Sequence, residues 1–420
     1  MVLRMMADTG ASRATDTGSV ALVPRINIQA FCERPQTMDS FQAAFADRRM
    51  ARAHGTAMMG GIPAAIRLYQ TQSTPNLLLV EADTERDALL ASLMSLAEVC
   101  QPDTKVVVIG HVNDVILYRE LIRRGVREYI VAPVSPLQLI ESISSLYRSE
   151  KALPIGRVAA FIGAKGGTGS STICHNCAWE LARITDAETT IIDLDLAYGT
   201  ADLDFNIDSS GRIMEALAQP ERVDSLLLDR LLVRIGGKLS LLAGPGGVDK
   251  EIVIEAHAIE ALLTAMRTSV PLIVLDIPNV WAPWVKFALL HSDHVVLTAE
   301  PELASLRNTR AIVEMLKAAR PNDPAPAVVL NKVGTPKRPE IASADFRKAI
   351  GTDVSAAIPF DPQNFGAALN NGRMLLDMAP RSKSADVLRK ITQDLSGERT
   401  PKVAPPVSSL FRKLKVLGRK

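Results

Sequence analysis

Short apolar runs alternate with stretches of helical periodicity along most of the chain. Ile26–Phe31, Leu77–Val80, Val106–Ile109 and Tyr129–Val131 are brief and mostly apolar, which predicts buried strands. Between them, Arg86–Val99 and Val115–Arg124 carry apolar residues at helical spacing, the second stopped by Gly125. A second series begins at Val158, with strands expected at Val158–Ile162, Thr190–Ile192, Leu239–Leu242, Leu272–Leu275, His294–Thr298 and Ala327–Leu330. Helical faces such as Ile173–Ile184, Ile259–Met266 and Ala311–Ala319 separate them. Strands joined through helices run parallel and are covered on both faces, so the pattern predicts an α/β fold twice over. The first domain spans 24–150 and the larger second one 157–396, with a mostly parallel sheet. Residues 151–156, with Pro154 and Gly156, read as a linker, and the small polar residues 1–23 as a flexible segment. Residues 397–420 join a Pro-containing spacer (Pro401, Pro405, Pro406) to a basic tail.

Composition narrows the class. The chain has 420 residues, 22% of them charged and 47% hydrophobic, which suits two or three globular units and excludes a wholly disordered chain. No stretch approaches the ~18 uninterrupted apolar residues of a spanning helix, and no apolar run follows Arg4 as in a signal peptide. Four scattered cysteines do not make a disulfide framework. A soluble cytoplasmic protein is expected. The net charge of +2 hides a local excess, because residues 397–420 carry seven Lys/Arg against one Asp/Glu. The near-neutral body argues against general nucleic-acid binding, which needs clustered Lys/Arg.

The chemistry concentrates in Val158-Ala-Ala-Phe-Ile-Gly-Ala-Lys-Gly-Gly-Thr-Gly-Ser-Ser-Thr, a strand running through a Gly-rich turn into a helix. Such a turn converges backbone N–H groups at a helix N-terminus, a ready phosphate cradle. Gly166, Gly167, Thr168, Gly169, Ser170, Ser171 and Thr172 are its candidate nucleotide contacts, and Ser171 falls where a P-loop hydroxyl holds Mg²⁺. Lys165-Gly-Gly-Thr-Gly-Ser-Ser resembles the deviant Walker A motif of MinD/ParA-class P-loop ATPases. The resemblance implies ATP and Mg²⁺ as cofactors, and a homodimer in which Lys165 reaches the partner's nucleotide. The class has a second lysine just before the Mg²⁺-binding Ser/Thr, and here Ser170 stands there. Losing that ammonium weakens transition-state stabilisation, so at most a weak ATPase is expected. Ile191-Ile-Asp-Leu-Asp resembles the class's strand end, which implies that Asp195, two residues past Asp193, orients the attacking water. Leu272-Ile-Val-Leu-Asp-Ile-Pro resembles Walker B and directs Asp276 toward Mg²⁺ through water. Val328-Val-Leu-Asn-Lys implies that Asn331 contacts adenine. Ile358-Pro-Phe-Asp, with Pro359, matches a later loop packing on the base. Cys174-His175-Asn176-Cys177 lacks a second Cys/His pair at zinc-site spacing and reads as packing.

Residues 24–150 resemble, in order and length, a response-regulator receiver domain of flavodoxin-like fold. Its reactive positions are replaced: Glu81 stands at the phosphate acceptor, Gly110 at the hydroxyl and Ala132 at the lysine before Pro133. A non-phosphorylatable interaction domain is expected. The combination of degenerate receiver and lysine-poor P-loop resembles the CpaE/TadZ family of Flp (Tad) pilus-assembly localisation factors. That implies recruitment of the pilus secretion machinery at a cell pole. A ParA-type partition ATPase and a scaffold with a vestigial nucleotide pocket stay as alternatives. In the tail, Leu410, Phe411, Leu414 and Leu417 line one helical face among basic residues. It reads either as a peripheral inner-membrane contact or as a frayed basic end.

Overall fold

The computed structural model describes residues 22–147, 155–208, 212–244 and 253–397. The expected N-terminal segment up to residue 21, the linker's 151–154 and the basic tail from 398 lie outside them.

The first sheet holds β1 (Asn27–Cys32), β2 (His54–Met59), β3 (Leu77–Ala82), β4 (Lys105–Gly110) and β5 (Glu128–Val131) in the order β2-β1-β3-β4-β5, all parallel. This is the flavodoxin-like order. Helices α1 (Pro35–Phe45), α2 (Gly61–Tyr69), α3 (Arg86–Val99), α4 (Val115–Arg123) and α5 (Pro136–Leu146) cover it. Two apolar layers result: Ile28, Leu77 and Ile109 pack with Phe41 and Ile140, while Phe31, Val80 and Val108 pack with Ile62 and Leu117. Both faces are buried, so the strands are continuously apolar rather than alternating. Asp114 caps α4, and a Ser135–Gln138 capping box starts α5.

The second sheet is larger. Its strands are β6 (Arg157–Gly163), β7 (Thr189–Asp193), β8 (Val233–Gly236), β9 (Leu239–Leu242), β10 (Leu272–Ile277), β11 (His294–Ala299), β12 (Ala327–Val333) and β13 (Val354–Pro359). They lie in the order β13-β12-β11-β6-β10-β7-β9-β8, parallel except for the β8–β9 pair. The helices that matter for the site are α6 (Ser170–Ile184), the short α7 (Ala201–Asp204), and, after the segment containing α8 (Ile213–Ala218) and α9 (Ser225–Leu231), α10 (Ala256–Ser269), α11 (Pro283–His291) and α12 (Leu303–Ala319). Helices α13 (Ser343–Ile350), α14 (Pro362–Asn370), α15 (Leu375–Met378) and α16 (Lys383–Ser396) complete the described chain. The core again splits by strand parity: Val158, Ala160 and Ile162 face one layer, Ala159 and Phe161 the other. Among the described residues, no helix is long and apolar enough to cross a membrane.

Three strands were absent from the sequence expectation: β2, β8 and β13. All are edges, with an exposed side that dilutes the apolar run. One correction follows, because Ile358 and Pro359, expected in a loop, end strand β13.

A buried charge network joins the two domains. Arg48 and Arg49 follow α1 and enter the second domain, where Arg48 Nε donates to Asp323 Oδ2 at 2.9 Å and Arg49 also pairs with Asp323. Arg48 further meets Asp293 at 3.4 Å, and Asp293 is held by Arg267 at 2.8 Å. Burial would raise the Asp323 carboxyl, but Arg48, Arg320 and Arg49 outweigh it and hold it at about 2. Asp293 and Asp323 precede β11 and β12. The first domain therefore docks at the sheet's N-terminal edge, opposite the Gly-rich loop.

Candidate nucleotide-binding site

Strand β6 delivers the loop from the middle of the sheet, and α6 starts at Ser170 directly after it. Side chains from three places hold the loop's carbonyls: the connection after β10, helix α12 and the end of β12. Asn279 donates to the Gly163 carbonyl at 2.8 Å, Asn308 to Ala164 at 2.9 Å and Asn331 to Thr168 at 2.8 Å. Lys332 Nζ donates to the Gly167 carbonyl at 2.6 Å, and the Thr168 hydroxyl to that of Lys165 at 3.1 Å. Gly169, at φ +85°, is needed where it stands, since a Cβ there would lie 2.6 Å from Asn331 Nδ2. With these carbonyls engaged, the first turn of α6 presents N–H groups that no helical carbonyl can satisfy. Such a turn attracts anions.

Two carboxylates and a histidine lie buried behind the loop. Asp276 ends β10, Asp193 ends β7, and His175 projects from α6 with 0% exposure. His175 Nδ1 is 2.7 Å from Asp204 Oδ2, and its Nε2 is 3.3 Å from Asp276 Oδ2. Burial alone would lower the imidazole's pKa, yet Asp204 and Asp276 raise it to about 10. Burial, with Asp276 alongside, raises that of Asp193. Asp276 Oδ1 and Ser170 Oγ are buried without a partner. Orphaned oxygens beside an anion cradle fit a Mg²⁺-nucleotide. Ser171 and Thr172 are partly exposed, as is Asp195, whose Oδ1 accepts from the Tyr198 N–H at 3.0 Å.

The rim is a network of ion pairs. Lys165 is 2.5 Å from Glu302 and 4.0 Å from Glu300. Glu300 also takes Lys332 at 2.9 Å and Arg338 at 2.7 Å. The Glu302 hydrogen bond raises the Lys165 pKa, so that ammonium stays charged. Asn331 lies under the loop, while Pro359 sits partly exposed beside the end of β12, where the Phe360 N–H bonds the Val333 carbonyl at 2.8 Å.

No family model matches the chain. A ParA-family ATPase from Chlorobium tepidum superposes with a TM-score of 0.51 at 26% identity, covering 58% of this chain and all of that one. MinD of Helicobacter pylori is 27% identical over 162 residues, 38% of this chain and 59% of its own length. In the N-terminal third, this chain is 50% identical to the pilus assembly protein CpaE from Caulobacter crescentus, covering 31% of this chain and all of that crystallised one. The TM-score there is 0.30. This chain is a MinD/ParA-class P-loop ATPase with a receiver-like N-terminal region that matches CpaE structures in sequence.

In the receiver-like domain, Glu81 is buried and hydrogen-bonded on both sides. Glu81, buried at the end of β3, accepts from the Glu33 and Arg34 N–H groups at 2.8 and 3.0 Å and from the Thr37 hydroxyl at 2.7 Å. His111 Nε2 lies 3.0 Å from its other side. Burial would raise its pKa, but the Thr37 and backbone hydrogen bonds hold it below the usual range, so Glu81 stays anionic. At Gly110 a Cβ would come within 2.1 Å of the Tyr129 hydroxyl, which donates to the Val112 carbonyl at 2.8 Å. The place of the receiver's Ser/Thr is thus filled by Tyr129.

Sequence reasoning missed His175 with Asp204, the clamps Asn279 and Asn308, and the role of Glu300 and Glu302. The Cys174–Cys177 cluster was read as packing, which holds for its buried cysteines but not for His175. A polar ring at a helix position flanked by buried apolar neighbours was the available signal. Its partners lie 29 and 101 positions away, and only folding names them.

Proposed function

We propose that this ATPase binds Mg-ATP, dimerises around it, and serves as a localisation factor for Flp/Tad-type pilus assembly with slow hydrolysis. The observation that carries the nucleotide reading is the loop whose carbonyls are tied outward while Ser170 Oγ and Asp276 Oδ1 stay unpartnered. In this reading Ser171 and, through water, Asp276 hold Mg²⁺, which supplies neutralising charge to the phosphates. The N–H groups of 166–172 hold the phosphates, Asp195 orients the attacking water, and Asn331 and Pro359 flank the base. Lys165 leaves Glu302 for the phosphate of a second copy. Exposed Tyr198, Leu203, Trp281 and Leu303 follow strands β7, β10 and β11 at the loop's end of the sheet. That apolar rim suits a second copy placed face to face. The pilus role rests on the CpaE identity of the first domain.

Calorimetry with Mg-ATP tests the binding, and heat-silent titration at millimolar ATP would refute it. Turnover well below the ~1–100 s⁻¹ of efficient phosphoryl-transfer enzymes is expected. Deleting the gene in its own cells should abolish surface pili, and unchanged piliation would remove the pilus assignment. The tail supplies membrane contact in this reading. Full-length protein should pellet with anionic vesicles, and protein ending at Pro406 should not.

A further inference from the structure

We propose that His175 is a positioning residue that transmits the state of Asp276 to the segment 195–207. The inference rests on the nucleotide reading above. His175 reaches both Asp276 and Asp204, at 3.3 and 2.7 Å. Asp276 keeps one buried oxygen unpartnered, so whatever binds it acts on a carboxylate whose other oxygen lies 3.3 Å from His175. Asp204 ends α7 and is itself buried. The same segment hangs on Asp193, which accepts from the Asp195 N–H at 2.9 Å and the Ala201 N–H at 3.4 Å. Gly199 approaches so closely that a Cβ would sit 2.4 Å from Asp193 Oδ2. The segment is thus tied to His175 and to Asp193, while its outer side exposes Tyr198 at 74% and Leu203 at 68%. A shift of the Asp276 carboxylate moves the imidazole, and the imidazole carries Asp204. Close-packed interiors transmit such displacements instead of absorbing them.

The test is hydrogen–deuterium exchange on the full-length protein with Mg-ADP, with a magnesium complex of a non-hydrolysable ATP analogue, and with EDTA. Nucleotide binding is measured in parallel by calorimetry. In the wild type, magnesium-nucleotide should change exchange in 195–207 about fivefold or more, a usual size for coupling between sites. His175→Phe keeps a planar aromatic ring, slightly larger, but removes both polar contacts, and should abolish this response while the loop and α6 still respond. Asp204→Asn weakens only the outer contact and should reduce the response; it decides the matter by itself if His175→Phe does not fold. A merely structural role would raise exchange equally with and without nucleotide, leaving the ratio intact, and that result overturns the proposal. So does a wild-type segment that binds nucleotide and does not respond. Absence of binding in the wild type overturns the nucleotide reading and this inference with it.

Discussion

Ser170 is the residue on which the rate should turn. Its hydroxyl is buried and unpartnered at the position where the class has an ammonium. Ser170→Lys should raise ATP turnover about 10²–10³-fold, the usual weight of one charge-stabilising group. Phosphate release measures it, and an unchanged rate would place the limiting step elsewhere. In the first domain, Glu81 already occupies the anion position and is fully bonded. Incubation with acetyl phosphate should leave no labile phosphoryl group by mass spectrometry. Restoring the hydroxyl by Gly110→Ser should destabilise the domain by about 1–3 kcal/mol through overpacking against Tyr129, seen as a lower urea midpoint. A stable Gly110→Ser variant would mean that Tyr129 yields readily.

At the scale of elements, the central strands were legible because burial on both faces makes them uniformly apolar. Strands β6 and β10 are buried nearly throughout, and both were found. The edges β2, β8 and β13 were not, since half-exposed residues such as His54, Arg234 and Ser355 interrupt their pattern. The connections after the central strands carry the exposed Trp281 and Leu303. Replacing both by Asp should abolish nucleotide-dependent dimerisation while leaving the melting temperature within a few degrees, because neither is part of the core. Sedimentation velocity with and without Mg-ATP reads the outcome, and an undiminished dimer would move the interface to another face.

For the whole molecule, the contact between domains rests on Asp323 and the arginines around it. Asp323→Asn leaves those buried charges undercompensated and should cost about 3–5 kcal/mol. It should also free the first domain, raising its susceptibility to protease. The pH dependence has a definite sign. The folded Asp323 carboxyl sits at about 2, below the ~3.9 of an unfolded Asp. Its stabilisation is therefore complete above about pH 4 and is lost as the pH falls toward 2. Urea midpoints across that range should fall more steeply in the wild type than in Asp323→Asn, and parallel curves would exclude this group as the cause.

The alternation of strands and helices except at the edges, the Gly-rich loop between β6 and α6, and the residues that stand at the receiver's reactive positions all followed from the chain itself. Each rests on local pattern: periodicity, glycine spacing, or the residue type at a strand end. Which side chains serve that loop did not. Asn279, after β10, Asn308, in α12 after β11, and Asn331, in β12, meet at one loop only because β10, β11 and β12 lie near β6 in the sheet. His175 became more than packing when the sheet order set β10 beside both β6 and β7. The docking of the two domains likewise depends on aspartates that look, in sequence, like ordinary turn residues. Local preference is written in neighbours along the chain, whereas the pairing of buried charges is decided by residues hundreds of positions apart, through the need to compensate each one taken out of water.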